Sequence, residues 1–347
     1  MTLAETRGRT APTPLYLREA DVEKILGNDL YLEGLVGTFA EAFGAYARGE
    51  VITPANERTR VVYPPRSKVR PYERDMRILP AMLPTMNSAG LRVGCTSKPK
   101  GSHDNLGTTS YTLLLEFETM STLAFVEDHY LHGVRSGVPT GLAVRHLANP
   151  DAETIGVIGC GRISRVQLAV ALGQSKARKV RVFSRNGSRR EAFAAEARER
   201  FGVEVLACDD VQDVVREADI LVCATNSYNE PIFDGAMLKA GALVASVTPG
   251  EIDQTTALRG VTVLSSSNRV ATDYTAQEPI ASLVASGQLT LDTLPTLGDV
   301  VTGTAQGRRD PSDVVFFFSP GIGFLDLAAA RYVYDRASAI GLGIVIR

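Results

Sequence analysis

The 347-residue chain carries almost no net charge: 37 Lys and Arg stand against 39 Asp and Glu, leaving −2 at pH 7. That balance gives no electrostatic case for nucleic acid as a partner. Long hydrophobic runs are missing too. No uninterrupted apolar stretch reaches the roughly 18 residues that a membrane crossing needs, so no membrane partner is expected. The opening M-T-L-A-E-T-R-G-R-T lacks the apolar core of a signal peptide. Cysteine is scarce, and Cys95, Cys160, Cys208 and Cys223 form no C-x-x-C pair. Reduced thiols and a cytoplasmic location follow as expectations. His103, His129, His132 and His146 come with no H-E-x-x-H or carboxylate pattern, so no metal site is expected.

What is present is the balance of a globular protein, 44% hydrophobic and 22% charged, in a length that suits two domains. The most informative stretch begins at residue 154. An apolar T-I-G-V-I enters G-C-G-R-I-S, a G-x-G-x-x-S run that opens a helix. Gly159 permits the tight turn, Gly161 lets the backbone approach a pyrophosphate, and Ser164 lets helix and strand pack closely. The N–H groups at the helix start, around Arg162 and Ile163, then face phosphate oxygens. A dinucleotide and redox chemistry are implied.

Downstream, strands at 154–158, 179–183, 203–207, 219–224, 242–247 and 261–265 alternate with helices at 163–174, 188–201 and 209–217. This alternation predicts an α/β protein with a Rossmann-type doubly wound parallel sheet. The first 130 residues differ. They read as a helix from 21, an amphipathic helix over 31–49, and strands at 60–63, 90–95 and 109–117, before one long helix over 129–147. The tail, with V-V-F-F-F at 314–318 and an alanine-rich helix over 325–340, reads neither as a linker nor as another Rossmann unit. It is expected to return to the N-terminal domain, which becomes discontinuous: 1–135 plus 315–347, around a dinucleotide-binding domain at 136–314.

In NAD-preferring Rossmann domains an Asp or Glu ends the second strand and bonds the ribose 2′-OH. Here that strand leads into F-S-R-N-G-S-R-R over 183–190, without a carboxylate. Ser184, Arg185, Asn186 and Arg189 take its place, and an arginine fork suits the 2′-phosphate of NADP. NADP(H) is favoured and NAD(H) stays open. The competing reading makes Arg185 and Arg189 solvated helix-start residues.

Three segments together resemble the ornithine cyclodeaminase/mu-crystallin family. L-H-G-V-R-S-G-V-P-T-G at 131–141 is similar to the family's R-[ST]-A/G-A helix. The glycine loop follows in its expected place. L-G-D-V-V-T-G at 297–303, Gly307-Arg308, and S-P-G-I-G-F-L-D-L-A-A at 319–329 resemble the family's tail. The family comprises cyclodeaminases, imine and ketimine reductases, alanine dehydrogenases and opine-like synthases, typically homodimers. The resemblance therefore implies an NAD(P)H-dependent oxidoreductase acting on the C–N bond of an α-imino or α-amino acid, with the discontinuous α+β domain binding substrate and forming the dimer. The alternatives are a cyclodeaminase that recycles bound NAD and releases ammonia, and a non-catalytic NADP-binding carrier.

Carried onto this chain, the resemblance implies that Arg60, Arg92 and Arg135 converge on the substrate carboxylate. Charge-assisted donors of this kind fix the reacting carbon. Ser136 and the turn from Gly321 to Gly323 are implied near nicotinamide and substrate. The competing reading pairs the three arginines with surface carboxylates. Arg92 stands where the family generally has lysine, and arginine keeps its proton, so it is expected to act as an electrostatic anchor. The acid/base aspartate of cyclodeaminases is missing from A-S-V-T-P-G-E-I-D at 245–253. Glu251 and Asp253 fit helix-capping positions instead, and simple hydride transfer is favoured. A basic, proline-flanked segment over 65–77 reads as extra charge for a second carboxylate or phosphate, as a solvated loop, or as part of a dimer interface.

Overall fold

The computed structural model describes residues 12–64, 73–100, 106–227, 230–273 and 276–347. Most of the basic segment, 65–72, and His103 lie outside the described residues. The chain divides into two compact units, one of residues 1–28, 48–132 and 322–347, the other of 29–47 and 133–321.

The first unit is built on a seven-stranded sheet. Its strands are β1 (Leu15–Leu17), β2 (Thr59–Tyr63), β3 (Arg74–Leu83), β4 (Ser88–Ser97), β5 (Gly107–Glu116), β6 (Thr122–Glu127) and β14 (Ile344–Val345), in the order β14-β1-β6-β5-β4-β3-β2. From β2 to β6 it is an antiparallel meander. Strand alternation gives it two unlike faces. Leu79, Ala81 and Leu83 are buried on one, whereas Val61, Tyr63 and Met76 are exposed on the other. The helix Gly323–Ala339 covers the buried face along β3, β4 and β5. The sequence pattern did not predict β3, whose Pro80 argues against a strand interior. The proline is tolerated because β2 pairs only with residues 74–78, so at Pro80 that side of β3 has no ladder to break.

The second unit holds an all-parallel sheet of β7 (Thr154–Ile158), β8 (Lys179–Phe183), β9 (Glu204–Ala207), β10 (Ile220–Cys223), β11 (Leu243–Ser246), β12 (Gly260–Leu264) and β13 (Val314–Phe318). The order is β12-β13-β11-β10-β7-β8-β9. Residues 315–318, expected to leave with the tail, form β13 here, between β11 and β12. The reason is burial: all five residues of V-V-F-F-F are enclosed, which suits a strand covered on both faces. The return to the first unit begins at Ile322. The helix Glu33–Ala47 belongs to the second unit as well.

The single helix expected over 129–147 is two, His129–Gly137 and Pro139–Leu147. Pro139 has no N–H to continue the first, yet suits the opening turn of the second. Gly133, Gly137 and Gly141 face Arg162, Val166 and Val170 of the helix Arg162–Gly173; a Cβ at Gly137 would stand 2.7 Å from that of Val166. Close packing therefore fixes the helix that starts at the glycine loop. Among the described residues no helix is long and apolar enough to cross a membrane.

Candidate functional site

At the carboxyl end of β7 the chain turns sharply. Gly159 has φ 99°, and a Cβ there would lie 2.5 Å from the carbonyl oxygen of Ala224. Only glycine fits both conditions. At Gly161, the N-cap of the helix Arg162–Gly173, an added Cβ would meet nothing within 4 Å. The backbone thus borders open space at the helix's first turn, whose N–H groups have no acceptor within the helix itself, an arrangement suited to an anion. Arg162, Ile163 and Ser164 form that first turn, and Ser164 is fully buried against its neighbours.

Gly159, Gly161, Ser184, Arg185, Asn186 and Arg189 line one cavity of about 580 Å³. The structure therefore brings six of the expected cofactor residues together. Arg185 and Arg189 are exposed, and neither has an ion-pair partner among the described residues. Asn186 is the N-cap of the helix Gly187–Phe201, its Oδ1 accepting from Arg189 N at 2.9 Å. Arg190, which the sequence did not single out, is bonded to Asp209. Cys160 also lines the cavity; burial pushes its thiol up, against a hydrogen bond from Ser184.

The far wall was not foreseen. Thr225, Asn226 and Ser227 line it, and Thr225 is anchored by Glu251. That carboxylate is completely buried. Its Oε2 accepts from Thr225 N and Oγ1, both at 2.8 Å, and its Oε1 from Ser246 Oγ at 2.6 Å and Thr248 N at 3.2 Å. Burial pushes the Glu251 carboxyl up, and these four donors oppose the shift without cancelling it. Glu251 is thus a tie between the ends of β10 and β11 rather than a helix cap. Asp253 does cap, accepting from Thr256 N at 2.9 Å.

In the first unit Arg60 and Arg92 share the inner face of the sheet. Arg60 on β2 forms a two-pronged pair with Asp75 on β3, Nε to Oδ1 at 2.8 Å and Nη2 to Oδ2 at 2.5 Å. Burial raises the Asp75 carboxyl, but the Arg60 hydrogen bonds and the fields of Arg77, Arg60 and Arg58 outweigh it and hold the group below the ordinary carboxylate range. Arg92 on β4 is buried; it pairs through Nε with Asp128, donates from Nη2 to Ser110 Oγ at 2.7 Å, and lies 3.7 Å from Asp326. Burial works against its charge, yet Asp128 and Asp326 more than offset that and raise it. It is a fixed cation. No sequence signal revealed these carboxylates, because strand register, not sequence distance, sets the pairs.

Arg135 is buried in the second unit, where an added Cβ on Gly321 would run into its guanidinium. The carbonyl of Gly321 accepts from Arg269 Nε at 3.0 Å. Ser136, the next residue, is half-buried. Gly323 opens the helix of the first unit, where an added Cβ would lie 3.0 Å from the Leu79 carbonyl oxygen.

A parallel sheet with a glycine loop and an open helix N-terminus at its carboxyl end is a Rossmann-type fold. The chain belongs to the ornithine cyclodeaminase/mu-crystallin family, which it matches over residues 19–341. It is similar to a Delta(1)-pyrroline-2-carboxylate reductase of Bacillus cereus, 27% identical over 273 residues that cover 77% of this chain and 82% of the relative. An alanine dehydrogenase of Archaeoglobus fulgidus is 25% identical over 343 residues, 96% of this chain and 98% of its own. Among solved structures, the Delta(1)-pyrroline-2-carboxylate reductase of Thermococcus litoralis, in complex with NADH and L-proline, superimposes with a TM-score of 0.84 at 22% identity, covering 96% of this chain and all of that one.

Proposed function

We propose that the protein is an NAD(P)H-dependent oxidoreductase that transfers hydride to or from the C–N bond of an α-imino or α-amino acid. The observation that carries the reading is the cavity at the glycine loop, with its open approach at Gly161 and its cationic rim. A nicotinamide dinucleotide supplies or accepts the hydride when bound. Gly159, Gly161 and the first turn of the helix from Arg162 through Ser164 hold the pyrophosphate. Ser184, Arg185, Asn186 and Arg189 hold the ribose end. With no carboxylate at the end of β8 and two arginines on the rim, NADP(H) is the preferred form and NAD(H) the second.

Arg60, Arg92 and Arg135 hold the α-carboxylate and so orient the reacting carbon, with Ser136, Gly321 and Gly323 close by. The α+β part binds substrate and forms a homodimer. Its apolar outer sheet face, with Val61, Tyr63, Met76 and Tyr111 exposed, supports that assignment. The test follows NADPH and NADH oxidation across cyclic imino acids and mixtures of 2-oxo acids with amines. Oxidation with at least one is expected. None, alongside ammonia released from ornithine, would overturn the reading in favour of a cyclodeaminase.

A further inference from the structure

Arg60 and Arg77 are direct partners across β2 and β3, and Arg77 is the partner of Gly94 across β3 and β4. Since Gly94 has no side chain, the Arg92 guanidinium lies over it; an added Cβ would be 3.0 Å from Nη1. Three guanidiniums therefore crowd one row of the inner sheet face. Like charges opposite one another in a sheet repel, so carboxylates must offset them.

Asp75 gives both oxygens to Arg60, and Arg92 faces two carboxylates, Asp128 through Nε and Asp326 at 3.7 Å. Among the described residues, Arg77 hydrogen-bonds to Thr96 Oγ1, which accepts from Nη2 at 2.9 Å. Its Nε is 3.7 Å from Asp75 Oδ2, too far for a hydrogen bond, and this enclosed atom donates to none of the described residues. Burial, with the fields of Arg92, Arg60 and Arg58 against that of Asp75, brings the Arg77 guanidinium down to about 10. It still carries its charge at neutral pH.

We propose that Arg77 reads a second carboxylate, on the side chain of the amino or imino acid whose α-carboxylate Arg60 and Arg92 hold. The substrates are then amino- or imino-dicarboxylic acids. The assignment rests on the carboxylate-clamp reading of Arg60 and Arg92. Neighbouring strands are about 4.8 Å apart, a span that a short alkyl chain between two carboxylates covers. A planar guanidinium with an unused edge is suited to such a group.

The enzyme is tested with NADPH or NADH, ammonium, and 2-oxo acids in matched pairs: oxaloacetate against 2-oxobutyrate, and 2-oxoglutarate against 2-oxopentanoate. The kcat/KM ratio is expected to favour the dicarboxylates by on the order of ten- to a hundredfold. Arg77→Met collapses that ratio, and Arg77→Lys, which keeps a point charge without the fork, leaves an intermediate one. A ratio unchanged in Arg77→Met, or a wild-type preference for the monocarboxylates, overturns the proposal. Melting temperature with succinate or butyrate gives a second readout that needs no turnover. Succinate should raise the wild-type Tm more than butyrate does, and Arg77→Met should erase the difference. No wild-type difference overturns the proposal. No NAD(P)H oxidation with any acid defeats the oxidoreductase reading, while the melting comparison still decides the role of Arg77. Should Arg77→Met fail to fold, Arg77→Lys and the wild-type ratio decide it.

Discussion

Gly321 has no side chain because the guanidinium of Arg135 occupies the place where one would go. The relation explains a tail glycine by a helix residue far away in sequence, and it makes the arginine's position sensitive to a single methyl group. Arg269 pins the same residue through the Gly321 carbonyl, so the backbone has little freedom to retreat. Gly321→Ala is therefore expected to displace Arg135 and raise KM for the imino acid on the order of tenfold or more, the loss of one charge-assisted hydrogen bond. Arg135→Ala should have at least as large an effect. Steady-state kinetics with both variants check this, and a wild-type KM in Gly321→Ala would count against the clamp.

Cofactor preference rests on the end of β8. Arg185 and Arg189 line the cavity without a carboxylate to neutralise them. Ser184→Asp would place an anion where the 2′-phosphate is proposed and would offer an acceptor to a ribose hydroxyl. The ratio of kcat/KM for NADPH over NADH should fall by roughly a hundredfold or more, as attraction is replaced by repulsion. An unmoved ratio would place the discrimination elsewhere.

Asp75 is the counter-ion of the arginine row. Asp75→Asn leaves the buried Arg60 without its two-pronged acceptor, and breaking such a pair costs roughly 3–5 kcal/mol. The Asp75 carboxyl is held below its ordinary range, by hydrogen bonds and arginine fields that overcome burial. Its contribution is therefore present above the unfolded carboxylate value and lost as pH falls through the lower folded value. Urea unfolding should show a full gap between wild type and variant at pH 7 and a vanishing one in acid. A gap independent of pH would mean that Asp75 is not the charged partner.

The second unit was legible because its signals are local. The glycine turn, the strand that follows and the missing carboxylate at Ser184 lie within one βαβ stretch, and each carries its own meaning. The first unit was not. Nothing in the sequence says that Arg60 faces Arg77, that Gly94 makes room for Arg92, or that Asp128 accepts from it, because register is set by long-range pairing. Pro80 is out of keeping with the interior of β3, and only the end of β2 explains why it is harmless. The run at 314–318 had the composition of a buried strand, but its place between β11 and β12 depends on strands far apart in the chain.

Glu251 shows how a residue outside the cavity sets its shape. Both of its oxygens face backbone N–H donors, Oε1 at Thr248 and Oε2 at Thr225. A hydroxyl can turn to suit an amide, but a backbone N–H cannot. In Glu251→Gln the amide NH₂ must therefore oppose one of the two, whichever way it is flipped. Leaving such a donor unsatisfied costs roughly 1–3 kcal/mol. Thr225 lines the cavity, so KM for the dinucleotide should rise together with the loss of stability. The pH dependence adds a second check. Burial raises the Glu251 carboxyl over its ordinary value despite its hydrogen bonds. Its stabilisation is then fullest below the unfolded carboxylate value and declines as pH rises through the folded one. The advantage of wild type over Glu251→Gln in urea unfolding should accordingly narrow from pH 4 towards pH 8. Equal stability across that range, with unchanged dinucleotide kinetics, would reduce Glu251 to a bystander.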